Sequence, residues 1–384
     1  MKSRILATAR ELAFPRYPGT DGDRRAIDLV TRWFRNTGLE TEVEWFSYDI
    51  APAFRALRTM LMATAVLVAL AGVLAIRAPG IAVLFLVIAL AAPAVFLSWA
   101  PWLERIYQGE GATRTANVMA RRAVSEPRLT LILLAHHDSK SQNLSLPFRA
   151  VFTLMAIVGA LGLLLYLAIV GLMGSAAGAE GLALGTLSAL CLLVLATLRN
   201  GNESPGGVDN AGSVGLVVEL AHQLPAVVPQ DVELIFLSPG AEEDHMVGAM
   251  RWLDAHLSEL EGRPVWAINF DSVGIPGRVT LLERYGFGTQ FSEHLSQVTR
   301  AAAVELGLRV RGILIPPAMG VDSIPFVHRG VPCLTLTSGS LGAASLSVHS
   351  KHDRFEHLDG EVLEQVARLA RAMAVKLTQP EQEK

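Results

Sequence analysis

Hydrophobic positions along the 384-residue chain fall into two regimes. In the first, short apolar runs alternate with stretches of helical periodicity. Residues 24–37, 212–224, 245–260, 288–306 and 360–377 read as amphipathic helices, and Leu129–Leu134, Val232–Leu237, Val265–Phe270 and Cys333–Leu336 as buried strands. Strands alternating with helices predict an α/β fold, a three-layer sandwich around a largely parallel central sheet. In the second regime polar positions almost vanish. Residues 59–103 hold one charge, Arg77, and residues 150–198 hold one, Glu180. Each block splits in two, giving Thr59–Ile76 and Ile81–Leu103, then Ala150–Ala179 and Gly181–Leu198. A spanning helix needs about 20 apolar residues. The third run exceeds that and is expected to end within Gly174–Gly178, while Pro93 is a kink of the kind bilayer helices tolerate. Core helices of soluble proteins keep a polar face, which these runs lack. The blocks therefore predict two transmembrane hairpins, four spans in all, inserted into the α/β fold.

The resulting organisation is a globular domain in pieces. Residues 1–55 form its first part and 56–103 the first hairpin, 104–148 its second part and 149–199 the second hairpin. Residues 200–378 complete it, followed by a tail at 379–384. With an even number of spans, all globular pieces lie on one side. Near the span ends on that side stand Arg55, Arg58, Arg105, Lys140, Arg149 and Arg199, against Arg77 alone at the opposite turns. The positive-inside rule places the globular domain in the cytoplasm, so an integral, multi-pass protein is expected. After Met1–Arg4 the apolar run Ile5–Ala9 is too short for a signal-peptide core. The sequons at Asn143 and Asn202 are read as chance.

Composition agrees. Charged residues make up 18% of the chain, below the usual ~25%, but roughly 23% outside the two blocks. A hydrophobic fraction of 51% excludes disorder, and a net charge of −3 disfavours nucleic acid as a partner. Two cysteines, Cys191 and Cys333, exclude both a disulfide scaffold and a Cys-rich zinc site, and read as small core hydrophobes.

Reactive side chains in such sheets gather beyond the carboxyl ends of the strands. Here Leu129–Leu134 is followed by Ala135-His136-His137-Asp138-Ser139, and Val232–Leu237 by Ser238-Pro239-Gly240-Ala241-Glu242-Glu243. Val265–Phe270 is followed by Asp271, and Cys333–Leu336 by a Gly/Ser-rich loop and then His349. A glycine-rich loop, Gly206-Gly207-Val208-Asp209-Asn210, enters a helix. Two imidazoles (His136, His349) and three carboxylates (Asp209, Glu243, Asp271) suit Zn²⁺. Five donors are too many for one catalytic ion and suffice for two if one carboxylate bridges. Two ions about 3.5–4 Å apart can share a hydroxide and stabilise a tetrahedral intermediate. Glu242, beside Glu243, is then the candidate general base, provided that the pair sits in a loop where both can face the cleft. His137, His352 and His357 are read as loop or surface histidines.

The ordered set His136-x-Asp138, Gly207-Val208-Asp209-Asn210, Glu242-Glu243, Asn269-Phe270-Asp271 and His349-Ser350-x-x-Asp353 resembles the M28 family of co-catalytic zinc peptidases. Arg16-Tyr17-Pro18-Gly19-Thr20 is similar to that family's lead-in, and Asp322-Ser323-Ile324-Pro325-Phe326 to its late loop. The resemblance implies a zinc exopeptidase-like fold with one zinc on His136, Asp209 and Asp271, and a second on Glu243, His349 and the bridging Asp209. It also implies Glu242 as the general base and Asp138 as the carboxylate that orients His136. Two departures, His245-Met246 for the family's Gly-Leu and Val321-Asp322-Ser323 for its Ser-Asp-His, fall near the expected substrate pocket.

The expected activity is a membrane-integrated zinc aminopeptidase acting on N-terminal peptide bonds. A zinc amidohydrolase or deacylase acting on membrane-proximal or lipid-linked amides is the enzymatic alternative. An inactive membrane scaffold is the non-enzymatic one, and it predicts lost ligands where all are present. A transporter would need polar groups within the spans. Asp138 stands eleven residues before Arg149, and Asp209 ten after Arg199. At roughly 3.3–3.6 Å per residue neither link exceeds about 40 Å, which favours a substrate near the lipid bilayer.

Overall fold

The computed structural model describes residues 1–96, 98, 101–106, 109–317, 319–340, 342 and 347–379. The expected tail therefore lies outside the described residues beyond Gln379, as do residues 341 and 343–346 of the Gly/Ser-rich loop before His349. The chain forms two compact units. One comprises Met1–Asp49, Tyr107–Ser141 and Gly201–Lys384, and the other Ile50–Ile106 and Gln142–Asn200.

The first unit is built on a mixed sheet whose strands are β1 (Glu40–Tyr48), β2 (Thr113–Arg122), β3 (Leu129–Leu134), β6 (Val232–Ser238), β7 (Val265–Phe270), β8 (Val279–Tyr285), β9 (Thr289–Gln290), β10 (Val310–Ile315) and β11 (Cys333–Ser338). Two-residue strands β4 (Ser141–Gln142) and β5 (Asn200–Gly201) pair only with each other. The order is β1-β2-β6-β3-β7-β11-β8-β10, with β9 on β8. Its four central strands, β6, β3, β7 and β11, run parallel. They are the four that the apolar runs predicted. Parallel strands covered on both faces need continuous apolar sequence, and every residue of β3, β6 and β11 is buried. The flanking strands β1, β2, β8 and β10 escape that criterion. β1 pairs antiparallel with β2, and β2 with β6. β1 also has one sheet edge unpaired, so its side chains alternate in burial and its sequence, Glu-Thr-Glu-Val-Glu-Trp, is largely polar.

Helices cover both faces of the sheet. Ile132 and Leu134 of β3, Ile235 and Leu237 of β6 and Cys333 of β11 pack with Trp252 and Leu253 of the helix Val247–His256 and with Phe326 of Ser323–His328. The alternate residues Leu131, Leu133, Leu234 and Phe236 are fully buried on the opposite face, which the helix Gly212–Gln223 covers. Helices Lys2–Leu12 and Gly360–Thr378 pack on that helix in turn. Local chemistry sets the helix starts. Thr20 Oγ1 accepts from Asp23 N, Ser292 from Leu295 N, and the Asp359 carboxylate from Glu361 N and Val362 N. Residues 245–246, expected in a helix, lie in the preceding loop.

The second unit contains four apolar helices, Ala51–Leu74, Pro79–Phe96, Leu146–Leu172 and Ala179–Leu195. The third ends just before Gly174, whose φ of 61° only glycine adopts readily. Two of the four, Ala51–Leu74 and Leu146–Leu172, are long and apolar enough to cross a membrane. The other two are shorter than the expected spans. Among the described residues the second runs over Pro79–Phe96, and Pro101–Ile106 form a 3-10 turn. Only 28% of the apolar window of each long helix is buried within the structure, and Val66, Val73, Leu154, Val158 and Leu165 are each more than half exposed.

Small residues let the first and fourth helices of this unit meet backbone to backbone. A Cβ on Gly185 would stand 2.9 Å from Gly72 Cα and 2.9 Å from Val68 O. One hydroxyl, Ser188 Oγ, donates to Ala156 O at 2.7 Å on the third helix, and Tyr166 OH accepts from Gly178 N at 2.7 Å at the turn of the second hairpin. The variant Gly185→Val is expected to force the first and fourth helices apart and cost about 1–3 kcal/mol. Thermal melting of the purified protein in detergent checks this, and an unchanged midpoint would contradict the packing.

Candidate metal centre

The ends of the parallel strands deliver the reactive side chains. His136 and Asp138 follow β3, Glu242 and Glu243 follow β6, Asp271 follows β7, and His349 lies in the chain after β11. Asp209 comes from the loop before the helix Gly212–Gln223. All of the sequence-predicted donors meet in one cleft. One donor atom each from His136, Asp209 and Asp271 lie within 4.8 Å of one another, and so do those of Asp209, Glu243 and His349. Asp209 belongs to both sets through different atoms. Its Oδ1 is 3.2 Å from His136 Nε2, and its Oδ2 is 3.3 Å from His349 Nε2. Glu243 Oε2 lies 3.1 Å from the same His349 nitrogen.

The donor set fits a metal on its own terms. Both His136 ring nitrogens are buried without a hydrogen-bond partner, although carboxylate oxygens stand 3.2–3.4 Å away. A buried polar atom left in this way costs free energy, and a cation between imidazole and carboxylates satisfies both. The electrostatics point the same way. Burial alone would lower the His136 pKa, but the carboxylates of Glu242, Asp138 and Asp209 outweigh it and hold the imidazole well above its ordinary value. Burial pushes Asp271 up to about 7, helped by the nearby Asp209 charge. Burial raises Glu242 well above the carboxylate range as well. His136 opposes that rise, while Asp322, Glu243 and Asp271 add to it.

The loops that carry the donors are held by side chains one layer behind them. Asp138 stands 3.4 Å from His136 Nδ1 and also accepts Glu242 N on Oδ1 (3.2 Å) and Glu243 N on Oδ2 (3.0 Å). One carboxylate thus faces the imidazole and fixes the Glu-Glu loop. Asp353 does the same for Asp209, accepting Val208 N at 2.7 Å and Asp209 N at 3.1 Å. Gly207 is needed at this junction, because a Cβ there would fall 2.4 Å from Arg354 C. Asn210 donates to Phe270 O and accepts from Ser272 N, which ties the Asp209 loop to Asp271. The Asp209–Asn210 peptide is cis.

Arg16 joins two of these loops from beneath. It is fully buried, and its guanidinium donates to the carbonyls of His137, Pro205 and Gly206, as well as to Leu12 and Phe14. Burial lowers its pKa to about 10, against the pull of Asp353, Asp138 and Asp209.

Backbone strain is concentrated around the cleft. Described non-glycine residues with positive φ are Ala241, His245, Met246, Ser272 and His349, and each such residue costs of order 1–3 kcal/mol. His245 and Met246 occupy the positions where the family pattern has Gly-Leu. The glycine-to-histidine departure therefore carries a conformational cost, and it is tolerated because Asp138 and the bond from Met246 N to Glu242 O (2.7 Å) hold the turn.

His137 lies in a loop, one of its two expected settings, but not at the surface. It is fully buried, with Nδ1 against Ser238 O and Oγ at 3.2 and 3.1 Å, and burial lowers its pKa to about 4. His352 and His357 are exposed. Cys333 is buried and donates to Ser323 Oγ at 3.0 Å, so it is more than an inert hydrophobe. The sequence pattern did not assign roles to Arg16, Lys140, Asn210, Asp322 or Asp353. Four of them stand inside the motif strings and Lys140 directly follows one, so their position was the available signal. Asp322 is fully buried with neither carboxylate oxygen hydrogen-bonded, and burial pushes its pKa up to about 8.

Replacing Arg16 by Met strands five carbonyls, and the loss of a buried charged donor is expected to cost about 3 kcal/mol or more. Thermal melting checks this through a fall in midpoint of roughly 10 °C, and a wild-type curve would remove Arg16 from the architecture of the site.

Comparison with known proteins follows the same lines. Residues 117–374 match the family model described as Peptidase family M28. Aminopeptidase YwaD of Bacillus subtilis (strain 168) is 28% identical over 172 residues, an alignment that covers 44% of this chain and 37% of that protein. The chain thus spans little more than a third of the curated relative's length. Among solved structures, a zinc aminopeptidase from Bacillus subtilis, BSAP, superposes with a TM-score of 0.58 at 15% identity, covering 100% of this chain and 96% of that one. A glutaminyl cyclase from Fimbriiglobus ruber gives 0.58 at 13% identity, with 99% and 96% coverage. At such identities the structures speak for the fold alone. The family match over residues 117–374, which takes in every donor of the cleft, places this chain in peptidase family M28.

Proposed function

We propose that the protein is a membrane-integrated, zinc-dependent aminopeptidase. The observation that carries the reading is Asp209, whose two carboxylate oxygens face two different imidazoles and so divide five donors into two three-donor sets. His136, Asp209 and Asp271 would hold one zinc ion, and Asp209, Glu243 and His349 a second. Bound there, zinc supplies Lewis acidity toward the scissile carbonyl and the attacking water. The fold is shared by a peptidase and a cyclase, so function is argued from the site.

Glu242 ligates in neither set and sits beside both. Its Oε2 is 3.8 Å from His136 Nε2, and its main chain is fixed by Asp138. A carboxylate held well above its ordinary pKa by burial is suited to take a proton from water and pass it to the departing amine. Asp138 acts on His136 and on the Glu-Glu turn together, as an orienting group. The apolar, outward-facing surface of the four-helix unit supports bilayer insertion, because a soluble core helix would be mostly buried. We read all four helices as lying in the membrane, with the catalytic unit on the cytoplasmic side. The short sequence links to the ligand motifs keep a second reading in play, hydrolysis of lipid-linked amides by the same residues.

Two measurements test these points. Glu242→Gln is expected to lower kcat on aminoacyl amides by about 10²–10⁴ with zinc content unchanged by elemental analysis. Full activity in that variant would remove Glu242 from the reaction, and a wild-type protein inert on aminoacyl amides but active on acylated amines would select the second reading. For topology, cysteines placed at Arg77 and Ser175 are expected to react with an impermeant maleimide on intact cells, and one at Glu110 only after permeabilisation. The two native cysteines are buried and give little background. The reverse labelling pattern would invert the orientation.

A further inference from the structure

Two three-donor sets sharing one carboxylate need not bind equally well. A cation, Lys140, two positions after Asp138, lies against the second set. Its main-chain N–H donates to Glu243 Oε1 at 3.0 Å, and its ammonium lies 2.9 Å from Glu243 Oε2 and donates to Glu243 O at 2.9 Å. Both oxygens of the only donor residue that, with His349, is peculiar to the second set are therefore already engaged by Lys140. One of them, Oε2, is the atom that faces His349 Nε2 at 3.1 Å. The Lys140 side chain is only 14% exposed, so water screens its charge poorly. Around the first set the corresponding neighbours are carboxylates, Asp138 and Glu242 near His136. Arg16 acts on Asp138 beside the first set, on Asp209, which both sets share, and on Glu243 of the second, so it does not single out either set.

We propose that Lys140 makes the two ion positions unequal, so that the Asp209–Glu243–His349 set binds its zinc more weakly than the His136–Asp209–Asp271 set, fills last and empties first. The inference rests on the two-ion reading above. It gives that reading a consequence: occupancy of the second position, and with it the fully loaded state, follows free zinc over a range in which the first position is already saturated. An ammonium 2.9 Å from Glu243 Oε2 would raise the free energy of a cation held by that set through repulsion, and it competes for the same carboxylate oxygens.

Calorimetric titration of the metal-free, full-length protein in detergent with zinc chloride tests this. The wild type is expected to show a tight and a weak event, and His349→Ala to lose the weak one. Lys140→Met is expected to tighten the weak event about ten- to hundred-fold and leave the tight one in place. Lys140→Gln removes the charge but keeps a hydrogen-bond donor, and should do the same. Lys140→Arg should keep the wild-type separation. If neither neutral variant narrows the gap between the two events, or if His349→Ala removes the tight event, the proposal is overturned while the two-ion reading stands. A single event in the wild type would instead remove the two-ion reading itself.

Discussion

Crowding of negative charge among buried side chains is the constraint to which the sheet-bearing unit answers. Asp209, Glu242, Glu243, Asp271 and Asp322 are buried or nearly so and act on one another electrostatically. Such carboxylates repel, and burial leaves them little water to screen the repulsion. The response is visible in pKa values near 7 for Asp271 and near 8 for Asp322, both far above the ordinary range. An arrangement of this kind persists only where the chain is held rigidly enough to prevent the carboxylates from moving apart, and it is relieved by cations.

The holding is done mainly by backbone. Asp138 and Asp353 spend their oxygens on main-chain N–H groups of the loops that carry Glu242, Glu243 and Asp209. Arg16 spends its donors on carbonyls of the His137 and Gly206 loops. These groups fix loop paths, and loop paths fix where donor atoms point. The positive-φ residues gathered at 241, 245, 246, 272 and 349 mark the local cost of that precision. Farther from the cleft the parallel centre of the sheet supplies the rigid base, since β3, β6, β7 and β11 all end toward the same site.

The apolar unit follows a different logic. Its helices are smooth and apolar outside, with close contacts made through Gly72, Gly185 and Ser188. Helix packing through small residues does not depend on a hydrophobic driving force between helices, which a bilayer would not supply. Uncharged runs and helices differ in extent here. The first helix begins before its run, at Ala51, and the third ends before its run does, at Leu172. A helix ends where its backbone turns, as at Gly174.

What the sequence determined by itself was the part of the protein whose side-chain chemistry is its own signal. Four largely apolar runs became the four central parallel strands, because strands buried on both faces favour apolar residues, and the buried exception Glu233 is paired with Thr130, Arg121 and Arg263. His136, Asp209, Glu243, Asp271 and His349 stood out as candidates because metal chemistry restricts residue type and strand ends restrict position, and the fold brings their side chains together. The flanking strands β1, β2, β8 and β10 were not legible, since strands pairing antiparallel or lying toward an edge tolerate polar positions. Tertiary structure alone decided that Asp209 turns one oxygen to each imidazole, that Asp138 serves the Glu-Glu turn as well as His136, and that His137 is buried. It alone showed Lys140 lying along Glu243 and Arg16 beneath the loops. Each of these depends on distances between residues up to about two hundred positions apart, and such distances come into being only when the sheet assembles and brings the loops together.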